Sequence, residues 1–389
     1  PRSTLFPYTT LFRSLEEPVV LIASRPDRLL TLQEEIGSWA PGLPVLVYAS
    51  PTPLFYEKEP WGRQTICQRI EVLADLASDV RSGATGRVLL TAAKGLITHT
   101  LTPAQFRSQT RVLQRGETVR YDALLSGLVD AGYRPQSIVV ERGEFSRRGG
   151  ILDLWPPPEP GPVRLEFFGD EIDSMRRFDP EVQRSLNDLE RLTITPAREG
   201  IPRLMHKAWR RSLPEDPEEA EARLEFLLPS MADEPSTLLD YLPSGAVLLL
   251  DDGAAVDEAV TEQEEQALEQ ARQLKQAGAY PAGLARPYLP LDELREALRA
   301  RGAIDLGHLT APEQAGWPLE AAFQPGPRFA GQLKRLTDHL LACQVDHEPA
   351  VVVSRQADRL AEVWAAEAGD TPVVDALPET VEPGSVIFL

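Results

Sequence analysis

The sequence contains few of the residues that build metal sites and disulfide frameworks. Its 389 residues include two cysteines, Cys67 and Cys343, and five histidines. None of these residues occurs at Cys-x-x-Cys or His-Glu-x-x-His spacing, so no metal site is predicted. Two cysteines this far apart do not indicate a disulfide framework, and a reducing compartment such as the cytoplasm fits them better.

Long hydrophobic runs are also missing. No apolar stretch approaches the roughly 18 residues that a membrane-spanning helix needs. The hydrophobic content of 42% and the charged content of 25% are ordinary for a globular protein, and the length is sufficient for two to four domains. We therefore expect a cytoplasmic protein with no membrane partner.

Basic charge is scarce. The chain has 40 Lys and Arg residues against 59 Asp and Glu residues, which gives a net charge of −19. A field of this sign repels phosphate backbones, so autonomous nucleic-acid binding is disfavoured. The stretch from Pro214 to Ala300 holds 20 acidic and 6 basic residues. Its simplest interpretation is a solvated acidic helix face and linker.

Catalytic motifs are absent as well. No Gly-x-x-x-x-Gly-Lys-[Ser/Thr] loop occurs, and Ala93-Lys94-Gly95 is interpreted as an ordinary strand-to-helix turn rather than a phosphate site. Asp251-Asp252 follows a predicted strand, and helix capping explains it more simply than magnesium binding does. Ser146 and Ser174 have no histidine at a helpful position for a hydrolase triad. We expect no catalytic, cofactor or metal residues in this chain.

A cluster of carboxylates needs separate consideration. Paired carboxylates can perform acid–base catalysis. Arginines lie close to this cluster in sequence, however, so a salt-bridged surface is the simpler interpretation. The acidic residues are Glu166, Asp170, Glu171 and Asp173, and the arginines are Arg164, Arg176 and Arg177.

Both ends of the chain have features of a fragment. Residues 1–14, PRSTLFPYTTLFRS, resemble the in-frame translation of a sequencing-library adapter and are not expected to belong to the fold. At the other end, residues 385–389 lie within an apolar run typical of a β-strand. We therefore expect a piece of a longer protein.

Strands and helices alternate along the first part of the chain, which predicts a parallel sheet covered on both faces. The helices are indicated by Pro26 near a first turn and by apolar residues at three- to four-residue spacing. The predicted strands are Val19–Ala23, Val45–Tyr48, Val88–Thr91 and, much later, Val247–Leu250. The long polar helix Ala254–Gln276 follows the last of these strands.

The middle of the chain predicts a small β-rich or α+β domain. A helix at Tyr121–Ala131 precedes strands at Ser137–Glu141, Ile151–Trp155, Val163–Phe168 and Ser174–Phe178, with Pro156–Pro158 as a turn. The last part predicts the beginning of another α/β domain. Its elements are helices at Phe329–Cys343 and Gln356–Ala366 and strands at Ala350–Ser354, Pro372–Val374 and Ser385–Leu389.

Arg148, Arg164 and Phe168 flank the two central strands of the middle domain. A guanidinium binds carboxylates bidentately and an aromatic ring provides an apolar anchor, and both residue types are enriched at protein interfaces. The alternative is that Arg164 pairs with a neighbouring glutamate and Phe168 lies in the core. Residue chemistry alone leaves both interpretations open.

The two strands carry a resemblance to two families. Glu144–Pro156 (EFSRRGGILDLWP) and Val163–Ser174 (VRLEFFGDEIDS) resemble a block shared by the excinuclease subunit UvrB and the transcription-repair coupling factors. Three further stretches resemble the coupling factors: 88–92 with 101–106, 241–251 and 351–360.

The coupling-factor resemblance implies a degenerate helicase-like α/β domain, residues 15–115 and 200–305, split by an inserted domain at 116–199. A linker at 306–327 and the start of a third α/β domain at 328–389 would follow. In that family the inserted domain recruits the damage-recognition subunit UvrA. By motif position, its contact residues correspond to Arg148, Arg164 and Phe168.

The resemblance also implies modules that this chain does not include. The whole protein would bind RNA polymerase and translocate on DNA with an ATP- and magnesium-dependent motor, for transcription-coupled nucleotide excision repair. A fragment of UvrB is the alternative. The acidic helix and the second small α/β domain, which follow the inserted domain here, favour the coupling factors.

Overall fold

A computed structural model describes most of the chain. The described residues are 17–78, 87–205, 216, 219–220, 224–231, 235–280, 284–307, 329, 332–354, 356–369, 371, 373–374, 376, 378 and 381–389. The adapter-like segment 1–14 and residues 308–327 of the expected linker lie outside them. No helix in the described ranges has the length and apolar character needed to cross a membrane.

The strands and helices are numbered along the chain. The first group is β1 (Val19–Ala23), α1 (Pro26–Trp39), β2 (Val45–Tyr48), α2 (Arg63–Ala77), β3 (Val88–Ala92), α3 (Ala93–Ile97) and α4 (Pro103–Gln109). The second is β4 (Arg111–Gln114), α5 (Tyr121–Asp130), β5 (Arg134–Pro135), β6 (Glu144–Arg148), β7 (Ile151–Leu154), β8 (Val163–Phe168), β9 (Glu171–Phe178), β10 (Ser185–Asp188) and β11 (Arg191–Ile194). The third is β12 (Val247–Leu250), α6 (Gly253–Gln276), α7 (Leu291–Ala300), β13 (Ile304–Asp305), α8 (Leu333–Val345), β14 (Ala350–Val352), α9 (Ala357–Ala368) and β15 (Val386–Phe388).

Five strands form a parallel sheet in the order β13-β12-β1-β3-β2. Every residue of β1 and β3 is buried, as expected for central strands of a parallel sheet with both faces covered. The α/β class predicted from the alternating pattern is confirmed. All the strands of the next sheet along the chain fall between β3 and β12, so this parallel sheet is assembled from two separated parts of the sequence.

A six-stranded sheet in the order β10-β9-β8-β7-β6-β5 occupies this intervening part of the chain. It is antiparallel except for the short β5–β6 pair. One face packs on a core that includes Leu128 of α5, Leu152 of β7, Leu165 of β8 and Leu192 of β11. We call the other face of the strands β6 to β9 the outer face.

The strands predicted for this sheet differ in part from those observed. The predicted strand Ser137–Glu141 is wrong, because the backbone N–H groups of Val140 and Glu141 donate to the Glu144 carboxylate instead of to a neighbouring strand. The strand β6 was not predicted, because its sequence, EFSRR, is mostly polar. The predicted strand Val163–Phe168 is confirmed.

Buried ion pairs connect this part of the chain to the parallel-sheet part. Arg69 of α2 and Glu199 form a pair in which neither side chain is exposed, and Arg69 Nη2 lies 3.1 Å from Glu199 Oε2. The Arg69 guanidinium lies 4.1 Å from the Tyr48 ring centroid and 4.9 Å from that of Trp61. The adjacent Arg198 forms a second buried pair with Glu225, at 2.7 Å.

The chain divides into two compact units. Residues 17–30 and 45–307 form the unit that holds both sheets, and residues 31–44 and 308–389 are assigned to the other. In the latter, β14 and β15 pair in parallel, and Trp364 of α9 is buried beside Phe388 in a small core. Here the helix predicted from Phe329 begins at Leu333, and Val373 of the predicted strand Pro372–Val374 forms only an isolated bridge.

Replacement of Arg69 by Met should strongly destabilise the chain, because Glu199 would remain buried without its partner. We expect a loss of about 3–5 kcal/mol in the free energy of unfolding. The matched control is Arg295→Met, which breaks the half-exposed Arg295–Asp257 pair and should cost less than about 1 kcal/mol. Urea denaturation followed by tryptophan fluorescence measures both, and equal losses would contradict this account.

Two glycines at the end of α5 provide a second test. Gly132 has a φ of +87°, and a Cβ there would lie 2.4 Å from Arg198 Cγ, so Gly132→Ala should lower the free energy of unfolding by more than about 1 kcal/mol. Gly127, within the helix, has open space around a Cβ, so Gly127→Ala should raise it by roughly 0.5–1 kcal/mol. Thermal denaturation compares the two, and a Gly132→Ala variant as stable as the parent would refute the steric argument.

Candidate protein-binding surface

Strand pairing places the three predicted contact residues on the outer face. Side chains directly opposite each other in an antiparallel pair lie on the same face, and residues two apart along a strand do too. One cross-strand row consists of Ser146, Asp153, Arg164 and Arg176. The next consists of Arg148, Ile151, Glu166 and Ser174. Phe168 follows Glu166 by two residues and extends the same face.

Arg164 is held in a fixed orientation. Its Nε and Nη2 donate to Asp153 Oδ1 and Oδ2 at 2.7 Å and 2.8 Å. The Phe178 ring centroid lies 4.9 Å from the guanidinium carbon. The hydrogen bonds to Asp153 raise the pKa of Arg164 above the usual value for arginine. The expectation that Arg164 pairs with an acid is therefore correct, but the partner is Asp153 rather than a glutamate.

Phe168 is the most exposed large apolar residue of the described chain, with 84% of its surface accessible. The alternative that it belongs to the core is therefore wrong. Its neighbour Phe167 points inward, where its ring packs edge-on against Tyr121 with the centroids 4.9 Å apart. Phe168 ends β8 next to the turn residue Gly169, whose φ is +63°. The ring therefore projects from the tip of a hairpin.

Arg148 ends β6 and is also exposed. Its Nη2 donates to the Ser137 carbonyl at 2.8 Å, and no carboxylate of the described residues lies within 4 Å of it. The backbone geometry explains why the two residues that follow Arg148 are glycines. Gly149 has a φ of +59°, and a Cβ on Gly150 would lie 2.9 Å from the Phe167 carbonyl oxygen. The Arg-Gly-Gly sequence therefore combines an exposed cation with a tight turn against β8.

Two acidic residues of the predicted carboxylate cluster have hydrogen-bond partners. Glu166 accepts hydrogen bonds from Arg176 at 2.7 Å and from Ser174 at 2.9 Å. Asp170 accepts one from the Tyr121 backbone N–H at 3.0 Å. The predicted salt-bridged surface is confirmed for Glu166, whose partner is Arg176.

The other candidate sites have structural roles. Lys94 donates to the carbonyls of Thr52 and Pro53, and burial lowers the pKa of its ammonium group to about 8. Asp251 pairs with Arg28, and Asp252 caps α6 by accepting the Ala255 N–H at 3.0 Å, which confirms the capping prediction. Among the residues that the structure describes, no three His, Cys, Asp or Glu side chains are grouped to hold a metal ion.

Sequence reasoning missed Asp153 and Phe178, which position Arg164. The signal for Asp153 was available in the hairpin register. Pairing Leu154 with Val163 across the proline-rich turn places Asp153 directly opposite Arg164. Phe178 could not be found in this way, because its contact with Arg164 is diagonal and depends on the third strand.

The comparisons with known proteins agree with this architecture. The family model of the UvrB interaction domain matches residues 112–199, which hold the whole six-stranded sheet. The chain is 30% identical over 249 residues to the transcription-repair-coupling factor of Escherichia coli, a match that covers 60% of this chain and 21% of that protein. It is 26% identical over 281 residues to the factor of Bacillus subtilis, with 64% and 23% covered.

A third match, to the factor of Staphylococcus epidermidis, is 33% identical over 183 residues and covers 39% of this chain and 16% of that protein. The chain thus spans about a fifth of the length of the curated relatives that it matches. All three relatives are coupling factors, which favours that family over the UvrB alternative. The chain is thus similar to transcription-repair-coupling factors, and its residues 112–199 match the UvrB interaction domain.

Proposed function

We propose that this chain is a docking platform that recruits UvrA, the damage-recognition subunit of nucleotide excision repair, through the outer face of its six-stranded sheet. The observation that carries the proposal is Phe168. A phenylalanine with 84% of its surface in water is costly to leave exposed, and a partner that buries it recovers that free energy. Its location within the matched UvrB interaction domain supports an interface role.

The surroundings of Phe168 fit an interface anchor. Binding hot spots combine aromatic residues with arginines whose orientation is fixed before the partner arrives. Arg164 has such an orientation because Asp153 and Phe178 hold its guanidinium on two sides. Less side-chain freedom is then lost on binding, so more of the contact energy contributes to affinity.

The role of the whole protein is part of the same proposal. Coupling repair to transcription would require the RNA polymerase-binding module and the DNA-translocating motor, with ATP and magnesium, outside these residues. In that arrangement the present chain contributes no chemistry of its own. It supplies the surface through which the motor's action delivers UvrA to the site where RNA polymerase has stalled.

Replacement of Phe168 by Ala should weaken UvrA binding by about 2 kcal/mol, or roughly 30-fold in Kd, because the anchor is lost. The thermal midpoint should not change, since the ring makes no core contact. The matched control is Leu268→Ala, which removes a side chain with 66% exposure from α6. Isothermal titration calorimetry with purified UvrA measures the three affinities, and a Phe168→Ala variant that binds like the parent would disprove the proposal.

A further inference from the structure

Arg148 and Arg164, two of the three arginines on the outer face, differ in what already neutralises them. Arg164 is engaged by a carboxylate through two hydrogen bonds, and Asp153 is itself buried. Arg176 is likewise paired with Glu166, and Arg177 with Glu159. Of the arginines on strands β6 to β9 that face outward, Arg148 alone has no carboxylate partner within the described residues.

This difference changes what each guanidinium can bind. A carboxylate that approaches Arg164 also approaches the Asp153 carboxylate, so the repulsion from Asp153 offsets much of the attraction. The paired guanidinium keeps free N–H groups, and these can donate to a neutral carbonyl or amide oxygen without that repulsion. Arg164 therefore suits a neutral acceptor.

Arg148, in contrast, is suited to bind an anion. Its contact is with the Ser137 carbonyl, a neutral acceptor that leaves the positive charge uncompensated. An exposed, uncompensated cation attracts an anion over the Debye length, about 10 Å at 0.1 M salt. Since a guanidinium matches a carboxylate with two parallel hydrogen bonds, an acidic side chain is the group that complements it best.

We propose that the docking surface recognises two different groups on its partner, a carboxylate opposite Arg148 and a neutral hydrogen-bond acceptor opposite Arg164, in addition to the apolar site that receives Phe168. This inference rests on the proposed function and adds the chemistry of the partner surface. The two arginines then have different roles. Arg148 attracts the partner over a long range, and Arg164 forms a short-range hydrogen bond that orients the bound partner.

The two roles differ in their dependence on salt, and binding kinetics with UvrA can separate them. Surface plasmon resonance at about 0.05 M and 0.5 M salt gives the association and dissociation rate constants. For Arg148→Gln we expect kon to fall about threefold or more at low salt and to approach the parent value at high salt. For Arg164→Gln we expect koff to rise about tenfold, and this factor should be similar at both salt concentrations.

Two further variants keep the outcome interpretable. Arg191→Gln removes the same charge from the exposed edge of β11, in a different sheet, and should behave like the parent. Arg164→Gln/Asp153→Asn removes the buried carboxylate together with its partner, so that a loss of binding is not caused by an unpaired charge in a damaged fold. Its koff should remain raised at both salt concentrations.

The results distinguish this inference from the function on which it rests. If Arg148→Gln and Arg164→Gln both weaken binding with the same salt dependence, the division of roles is wrong although the docking surface is right. If neither variant changes either rate constant, and Phe168→Ala also binds like the parent, the docking function itself is wrong.

Discussion

The buried Arg69–Glu199 pair is the constraint on which the arrangement of the two sheets depends. Neither side chain is exposed, and removing two charges from water is unfavourable unless each satisfies the other. Arg69 belongs to α2, which covers the parallel sheet, and Glu199 lies where the chain returns from the six-stranded sheet. The Tyr48 and Trp61 ring centroids lie 4.1 Å and 4.9 Å from the guanidinium carbon, so cation–π contacts add to the ion pair at this junction.

The same helix also contacts the segment that supports the docking surface. Arg63 of α2 pairs with Glu141 at 2.6 Å and Glu71 with Arg142 at 3.0 Å, and both partners belong to the loop between β5 and β6. The Ser137 carbonyl of this loop accepts the hydrogen bond from Arg148. The position of the exposed cation is therefore linked, through one short loop, to the packing of the parallel-sheet part.

Continuous apolar runs made part of the fold predictable. The strands Val19–Ala23, Val45–Tyr48 and Val247–Leu250 were predicted with correct bounds, because each is a continuous run of apolar residues, as is typical of parallel sheets. The mostly polar strand β6 gave no such signal. The Arg69–Glu199 pair spans 130 residues of sequence, and nothing local to either residue indicates it.

In the docking surface, too, local sequence is not sufficient to predict the arrangement of the side chains. The motif identified Arg148, Arg164 and Phe168 as a set, but two adjacent phenylalanines leave open which one faces water. A shift of one residue in register exchanges the two faces of a strand, so only the pairing of β8 with its neighbours decides between Phe167 and Phe168.

Hydrogen–deuterium exchange on the chain with and without UvrA tests the central claim most directly. The proposed function predicts slower exchange in peptides that cover β7, β8 and the hairpin tip at Gly169, with no change in α6 or β12. Protection confined to other regions, with these strands exchanging as in the free chain, would contradict it.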